Sequence, residues 1–402
     1  MRTTPDHRPG EVARPASALS RRTLLRGALA GGLVATGLSA CGTEGTRETA
    51  ESCKSEDRSA TERQLNVSNW PLYIDVAEDD ESKRPTLDAF VKQTGIKVKY
   101  TEDINDNNEF FGKVRNQLAQ CQATGRDIFV LTDWMAARLL RLGWVQKLDT
   151  GNLPNVQANL LDSLRDVSWD RERDQAVPWQ SGLTGLAYNA KVAKEVRTFD
   201  ELLTRPDLKG KVTLLSEMRD TMTLSLLSLD KEPEDFTADD FDAAIDKIAK
   251  ATDSGQVRRF TGNDYAQDLA KGDIAACLAW SGDVLQLQFD NPDIRFVVPD
   301  EGALLWSDNM MVPNKATHKT NAEKLMDYYY QPEVAAELAA WVNYICPVKG
   351  AQQAMTKIDP DLAENPLIFP DPATLRRTHA FRALNEKDEK TYEAKFQKVI
   401  GA

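Results

Sequence analysis

The chain is 402 residues long, too long for one ordinary hydrophobic core and long enough for two or three domains or lobes. Its 50 basic and 62 acidic residues leave a net charge of −12, a balance that argues against nonspecific nucleic-acid binding and favours cationic ligands. With 41% hydrophobic residues it can build a core, which excludes disorder for most of its length, and His7, His318 and His379 are little material for histidine-based catalysis or a histidine-rich metal site.

The N-terminal forty residues are basic, with Arg2, Arg8, Arg14, Arg21, Arg22 and Arg26 against Asp6 and Glu11. SRRTLL at 20–25 has the form of a twin-arginine export signal, and the apolar run at 27–40 is too short to span a bilayer of roughly 30 Å. LSAC at 38–41 resembles a lipobox, which makes residues 1–40 a signal peptide and Cys41 the lipidated first residue of an extracytoplasmic, membrane-anchored protein. Residues 41–64 lack large apolar side chains beyond Cys41 and read as a flexible tether that cannot pack. Four further cysteines remain: Cys53 in the tether, and Cys121, Cys277 and Cys346, for which buried free thiols are the default expectation.

From residue 65 the chain alternates short β-rich runs with amphipathic stretches. The expected series is a strand at 65–70, a helix at 85–95 stopped by Gly95, a strand at 96–100, a helix at 110–123, a buried strand at 127–131 and a helix at 135–143. A second such series runs through 211–215, 221–229, 238–252, 274–280 and 295–299. The fold class that follows is α/β in two lobes, each a mostly parallel sheet flanked by helices. Ligands of such sheets sit at the strands' carboxyl ends, which draws attention to Trp70, 132–134, 216–220 and 280–283.

Enzyme motifs are missing: there is no G-x-S-x-G elbow, no G-x-x-x-x-G-K-[ST] loop and no H-E-x-x-H pair. The acidic runs at 79–81 and 239–240 read as solvated faces, and Tyr328, Tyr329 and Tyr330 read as helix packing rather than as metal ligands. The chain therefore contains no convincing catalytic constellation, metal site or cofactor loop. What it does contain is a set of aromatics at expected strand ends or loops, Trp70, Tyr73, Trp134, Trp280, Trp306 and Tyr344, interleaved with Glu217, Asp220, Asp283 and Asp308. Aromatic faces attract ammonium groups and cover methylene chains, and carboxylates bind primary amines through charge-assisted hydrogen bonds. A linear polyamine needs both.

At these residues, and in the motifs SNWPLYI, DIFVLTDWM, VPWQSGLTGLAYN, LAKGDIAACLAWSGDV and EGALLWSDNMMVP, the chain resembles the bacterial spermidine/putrescine-binding proteins of polyamine ABC importers. The resemblance implies the type II periplasmic-binding-protein fold with a two-strand hinge, lobe 1 comprising 65–181 and 309–350 and lobe 2 comprising 182–308 and 351–402. It implies that Trp70, Tyr73, Thr132, Trp134, Glu217, Asp220, Trp280, Asp283, Trp306, Asp308 and Tyr344 hold the ligand. It further implies a monomeric receptor without a cofactor that catalyses nothing and delivers its ligand to an ABC permease. Phe381 stands where some spermidine binders have a glutamine, and the acids mix those of the putrescine and spermidine subtypes. Counting four acids predicts that spermidine is bound at least as well as putrescine. The alternatives are a receptor for another cationic solute, such as a basic amino acid or diamine analogue, and a surface-anchored enzyme of amine metabolism, whose cofactor loop or nucleophile the chain lacks.

Overall fold

The computed structural model describes Cys53 and residues 56–401; the export signal, lipobox and Cys41 lie outside the described residues. Ten strands form one sheet: β1 (Gln64–Asn69), β2 (Lys97–Glu102), β3 (Ile128–Thr132), β4 (Val177–Asn189), β5 (Val212–Leu215), β6 (Val257–Thr261), β7 (Ala276–Trp280), β8 (Ile294–Val297), β9 (Ala303–Met311) and β10 (Thr378–His379). Their order is β2-β1-β3-β9-β4-β7-β5-β6, with β10 beside β9 and β8 beside β4. β2-β1-β3 is parallel, as is β7-β5-β6. The strands next to the middle are continuous apolar runs: IFVL of β3 and all five residues of β7 are buried, as expected where helices cover both faces.

The antiparallel β9-β4 pair joins the two parallel runs. β9 pairs with β3 from Phe129–Met311 to Thr132–Asp308, and β4 passes from β9 to β7 at Thr184. β9 did not stand out as a strand in the amphipathic reading, and Trp306 and Asp308 were expected at a strand end. They lie instead in the middle of β9, because the run is read as a strand only once both its neighbours are in place.

Helix boundaries follow local chemistry. The helix Pro85–Thr94 starts with proline at its first position and ends at Gly95 in the left-handed region (φ 71°), while Ala238–Asp253 opens with a Thr237–Asp240 capping box. The helix expected at 221–229 runs from Met218 to Leu227, one turn earlier, which brings Glu217 to its N-cap.

Two expectations about the lead-in segment are corrected. Cys121 is not a free thiol: it is disulfide-bonded to Cys53, whereas Cys277 and Cys346 are free and buried. Nor does the whole of 41–64 fail to pack. Asp57 accepts hydrogen bonds from the backbone and hydroxyl of Thr320, the Arg58 amide donates to the Thr317 carbonyl, and Glu62 meets His318, which in turn meets Asp127. Polar side chains dock this segment through hydrogen bonds, which a search for apolar anchors misses. The three tyrosines behave as packing residues: Tyr328 donates to the Thr86 carbonyl and Tyr330 to that of Pro178, and all three are buried.

Candidate functional site

The parallel strands place the site. β3, β5 and β7 each run directly into a helix, Asp133–Arg141, Met218–Leu227 and Ser281–Asp290, with Thr132, Glu217 and Trp280 at the N-caps. Asp220 and Asp283 sit in the first turns of the second and third of these helices, where the positive end of the helix dipole favours carboxylates. Asp308 comes from β9, and the loop after β1 contributes Trp70 and Tyr73.

These residues line one pocket with Pro71, Asn107, Asn263, Trp306 and Tyr344. It holds about 400 Å³ of space unfilled by protein atoms, narrowed to a slot by the rings that wall it. Ring contacts form its walls: Trp70–Trp280 at 6.2 Å, Trp280–Trp306 at 6.4 Å, Trp306–Tyr344 at 5.7 Å and Tyr73–Tyr344 at 4.9 Å. Two glycines let the rings lie against backbone. A Cβ on Gly182 would come 2.5 Å from the Trp306 ring, and one on Gly282 would enter the Tyr344 ring.

Each acid is held by donors. Asp283 accepts from the hydroxyls of Tyr344 (2.6 Å) and Tyr265 (2.9 Å) and from Asn263 Nδ2 (2.9 Å). Asp220 Oδ1 accepts from the Thr184 hydroxyl and from Trp280 Nε1 (2.9 Å). Asp308 accepts from the Thr132 hydroxyl (2.7 Å). Glu217 Oε1 accepts from the backbone amide and Nδ2 of Asn107, both at 2.9 Å, while its buried Oε2 has no protein partner.

No lysine, arginine or histidine lines the slot. Burial therefore pushes all four carboxyls upward: Asp308 to about 7, Glu217 well above its usual range with the charges of Asp106 and Asp220 adding to the effect, and Asp220 and Asp283 also upward. An arrangement of four buried acids, rings for walls and no internal cation calls for a ligand with more than one positive charge. Among the described residues no cluster of histidine, cysteine and acids could hold a metal ion.

Ten of the eleven expected site residues line the slot. Trp134 does not. The second residue of its helix, it faces an adjoining larger chamber, where Arg138 stacks 4.9 Å and Arg219 3.8 Å from its ring centre. Asn107, Asn263 and Tyr265 were missed. Single polar residues carry no periodic signal, although Asn107 opens a helix whose cap, Asp106, is readable.

The chain matches the model of the bacterial extracellular solute-binding protein family over residues 86–370. It is 30% identical over 339 residues to the putrescine-binding periplasmic protein PotF of Escherichia coli, covering 79% of this chain and 85% of that protein. It is 26% identical over 294 residues to spermidine/putrescine-binding periplasmic protein 1 of Haemophilus influenzae, covering 73% and 79%. Among solved structures, one from Listeria monocytogenes, named for spermidine/putrescine ABC transport, superposes with a TM-score of 0.72 at 26% identity, covering 84% of this chain and 98% of that one.

Proposed function

The chain belongs to the bacterial extracellular solute-binding proteins, and from that premise we propose that it captures a polyamine of the putrescine–spermidine class and delivers it to an ABC importer. The observation that carries this reading is the thin aromatic slot with four buried carboxylates and no basic side chain. Terminal ammonium groups neutralise the acids, and the indole and phenol faces cover the methylene chain between them. Asp308 stands on the crossing strand β9 and Asp283 on the helix after β7, so a ligand held by both ties the crossing pair to the β7-β5-β6 run. The lobes divide as 65–181 with 309–350 and 182–308 with 351–402, closing about the β4–β9 pair like a hinged trap. The receptor acts as a monomer and performs no chemistry on its ligand.

Tryptophan fluorescence titration with putrescine, spermidine, arginine and neutral diols tests the reading, because Trp70, Trp280 and Trp306 all line the slot. Saturable responses to the polyamines are expected. A response to arginine alone would favour a basic amino acid receptor, the second reading that an acidic slot supports. The lipobox-like LSAC at 38–41 makes Cys41 the anchoring residue of this reading. Cys41→Ser should leave soluble or unprocessed protein, and processed variant retained in membranes would refute the anchor.

A further inference from the structure

Glu217 follows β5 and Asp308 lies in β9, yet one buried side chain reaches towards both acids. Asn107 opens the helix Asn107–Ala119, between β2 and β3. Its Nδ2 gives one hydrogen to Glu217 Oε1 and the other to Thr132 Oγ1, each at 2.9 Å. Its Oδ1 accepts from the Thr132 amide at 3.2 Å, which fixes the orientation of the side chain, because the reverse would set two N–H groups against each other. Thr132 Oγ1 takes a hydrogen from Asn107, so its own hydroxyl hydrogen goes to Asp308 Oδ1 at 2.7 Å. Every link of the chain therefore points a donor at a carboxylate. One residue earlier, the Ser216 hydroxyl donates to Asp106 Oδ2 at 3.1 Å, so the contact spans two residues on each side.

Hydrogen bonds to an ionised carboxylate favour that form, and the bonds from Asn107 and Thr132 oppose the burial that raises Glu217 and Asp308. The surrounding groups give no such help: Glu217 faces the charges of Asp106 and Asp220, and Asp308 faces Asp133, Asp220 and the phenol of Tyr73. A lysine or arginine in place of Asn107 would also supply N–H groups, but it would cancel the charge that a cationic ligand has to neutralise. A primary amide offers two hydrogens without a charge. The Asn107 backbone amide holds Glu217 Oε1 as well, at 2.9 Å, which leaves the buried Oε2 as the oxygen without a protein partner.

We propose that Asn107 is a positioning residue for ligand capture, aligning donors on Glu217 directly and on Asp308 through Thr132 so that both carboxylates are set to receive ammonium groups. The proposal rests on the polyamine reading and adds to it a residue that acts through its neighbours, since its amide groups are already engaged within the protein.

Isothermal titration of the full chain with putrescine tests it. Asn107→Asp is nearly isosteric, suits the first turn of a helix and adds negative charge at the slot. Direct contact of Asn107 with the ligand predicts that this variant binds at least as tightly as wild type. A carboxyl has at most one hydrogen to give, so the positioning role predicts binding at least about tenfold weaker at pH 8. Asn107→Ala should weaken binding by a larger factor at pH 6 than at pH 8.5, because Asp308, held at about 7, loses the support that reaches it through Thr132. A packing defect would give the same factor at both. In a Glu217→Gln background, Asn107→Ala should cost at least about threefold less than in the wild type. Should Asn107→Ala not fold, Asn107→Asp decides. Wild-type or tighter binding by Asn107→Asp, an Asn107→Ala factor independent of pH, or one undiminished by Glu217→Gln overturns the proposal while the polyamine reading stands. Absence of putrescine and spermidine binding to folded wild type overturns both.

Discussion

Replacing Asp308 with asparagine should remove both affinity and part of its pH dependence. Burial holds this carboxyl at about 7, so it is about half protonated at neutral pH in the unliganded protein. Gripping an ammonium requires the ionised form, and each pH unit below 7 therefore costs about 1.4 kcal/mol of binding. Between pH 8 and pH 5 this one group weakens binding by about two orders of magnitude. Asp308→Asn should cost about 2–5 kcal/mol at pH 8, where the wild-type carboxylate is charged, and should show a pH slope shallower by one proton. Glu217, Asp220 and Asp283, also raised by burial, leave a residual slope in both proteins.

The unliganded fold has the opposite dependence. Because folding raises the Asp308 pKa, its contribution to stability is fully present below the ordinary carboxyl range near 3.8 and is lost as pH rises through about 7. The rise in melting temperature on adding polyamine should then be larger at pH 8 than at pH 5. Isothermal titration from pH 5 to 8, with calorimetry of the free and liganded forms, measures both quantities. Equal pH slopes for wild type and Asp308→Asn would refute the reasoning.

Gly182→Ala should weaken polyamine binding by at least about tenfold, since a Cβ 2.5 Å from the Trp306 ring must push that wall into the slot; unchanged affinity by titration would contradict the close approach. Cys53→Ser should lower stability by up to about 4 kcal/mol, the loop-entropy value for a separation of 68 residues, and an unchanged denaturation midpoint would mean the disulfide contributes nothing. His318, buried between Asp127 and Glu62, has its pKa raised by its carboxylate partners despite desolvation, so the stability it adds is present below the unfolded value near 6.5 and is lost as pH rises through its folded pKa. Melting curves of His318→Gln should lack that alkaline decline, and parallel curves for both proteins would count against it.

The slot was largely legible in the sequence because its residues follow strands: Trp70, Thr132, Glu217 and Trp280 stand where apolar runs end, and loops after parallel strands gather on one edge. Trp306 and Asp308 both line the slot but lie within a strand and not at its end, since a long crossing strand buried along its length does not alternate. Trp134 looked equivalent to its neighbours, and its displacement depends on Arg138 and Arg219, which approach from separate helices. The Cys53–Cys121 bond is a matter of three-dimensional proximity between segments 68 residues apart, for which spacing is no guide.

The strand order has a consequence for how the chain assembles. β3, complete by Thr132, pairs on its inner side with β9, whose residues come some 180 positions later, and β4 also needs β9 along its first half. The lead-in docks on Thr317, His318 and Thr320, more than 250 residues away in sequence. Neither parallel run can therefore be sealed in the middle of the sheet until residues 303–311 have arrived, and loop closure over such distances must precede the contacts that reward it. The polypeptide belongs among the slow, non-local folders, in which a half-made sheet leaves the inner edges of β3 and β4 bare for much of the time between synthesis and completion.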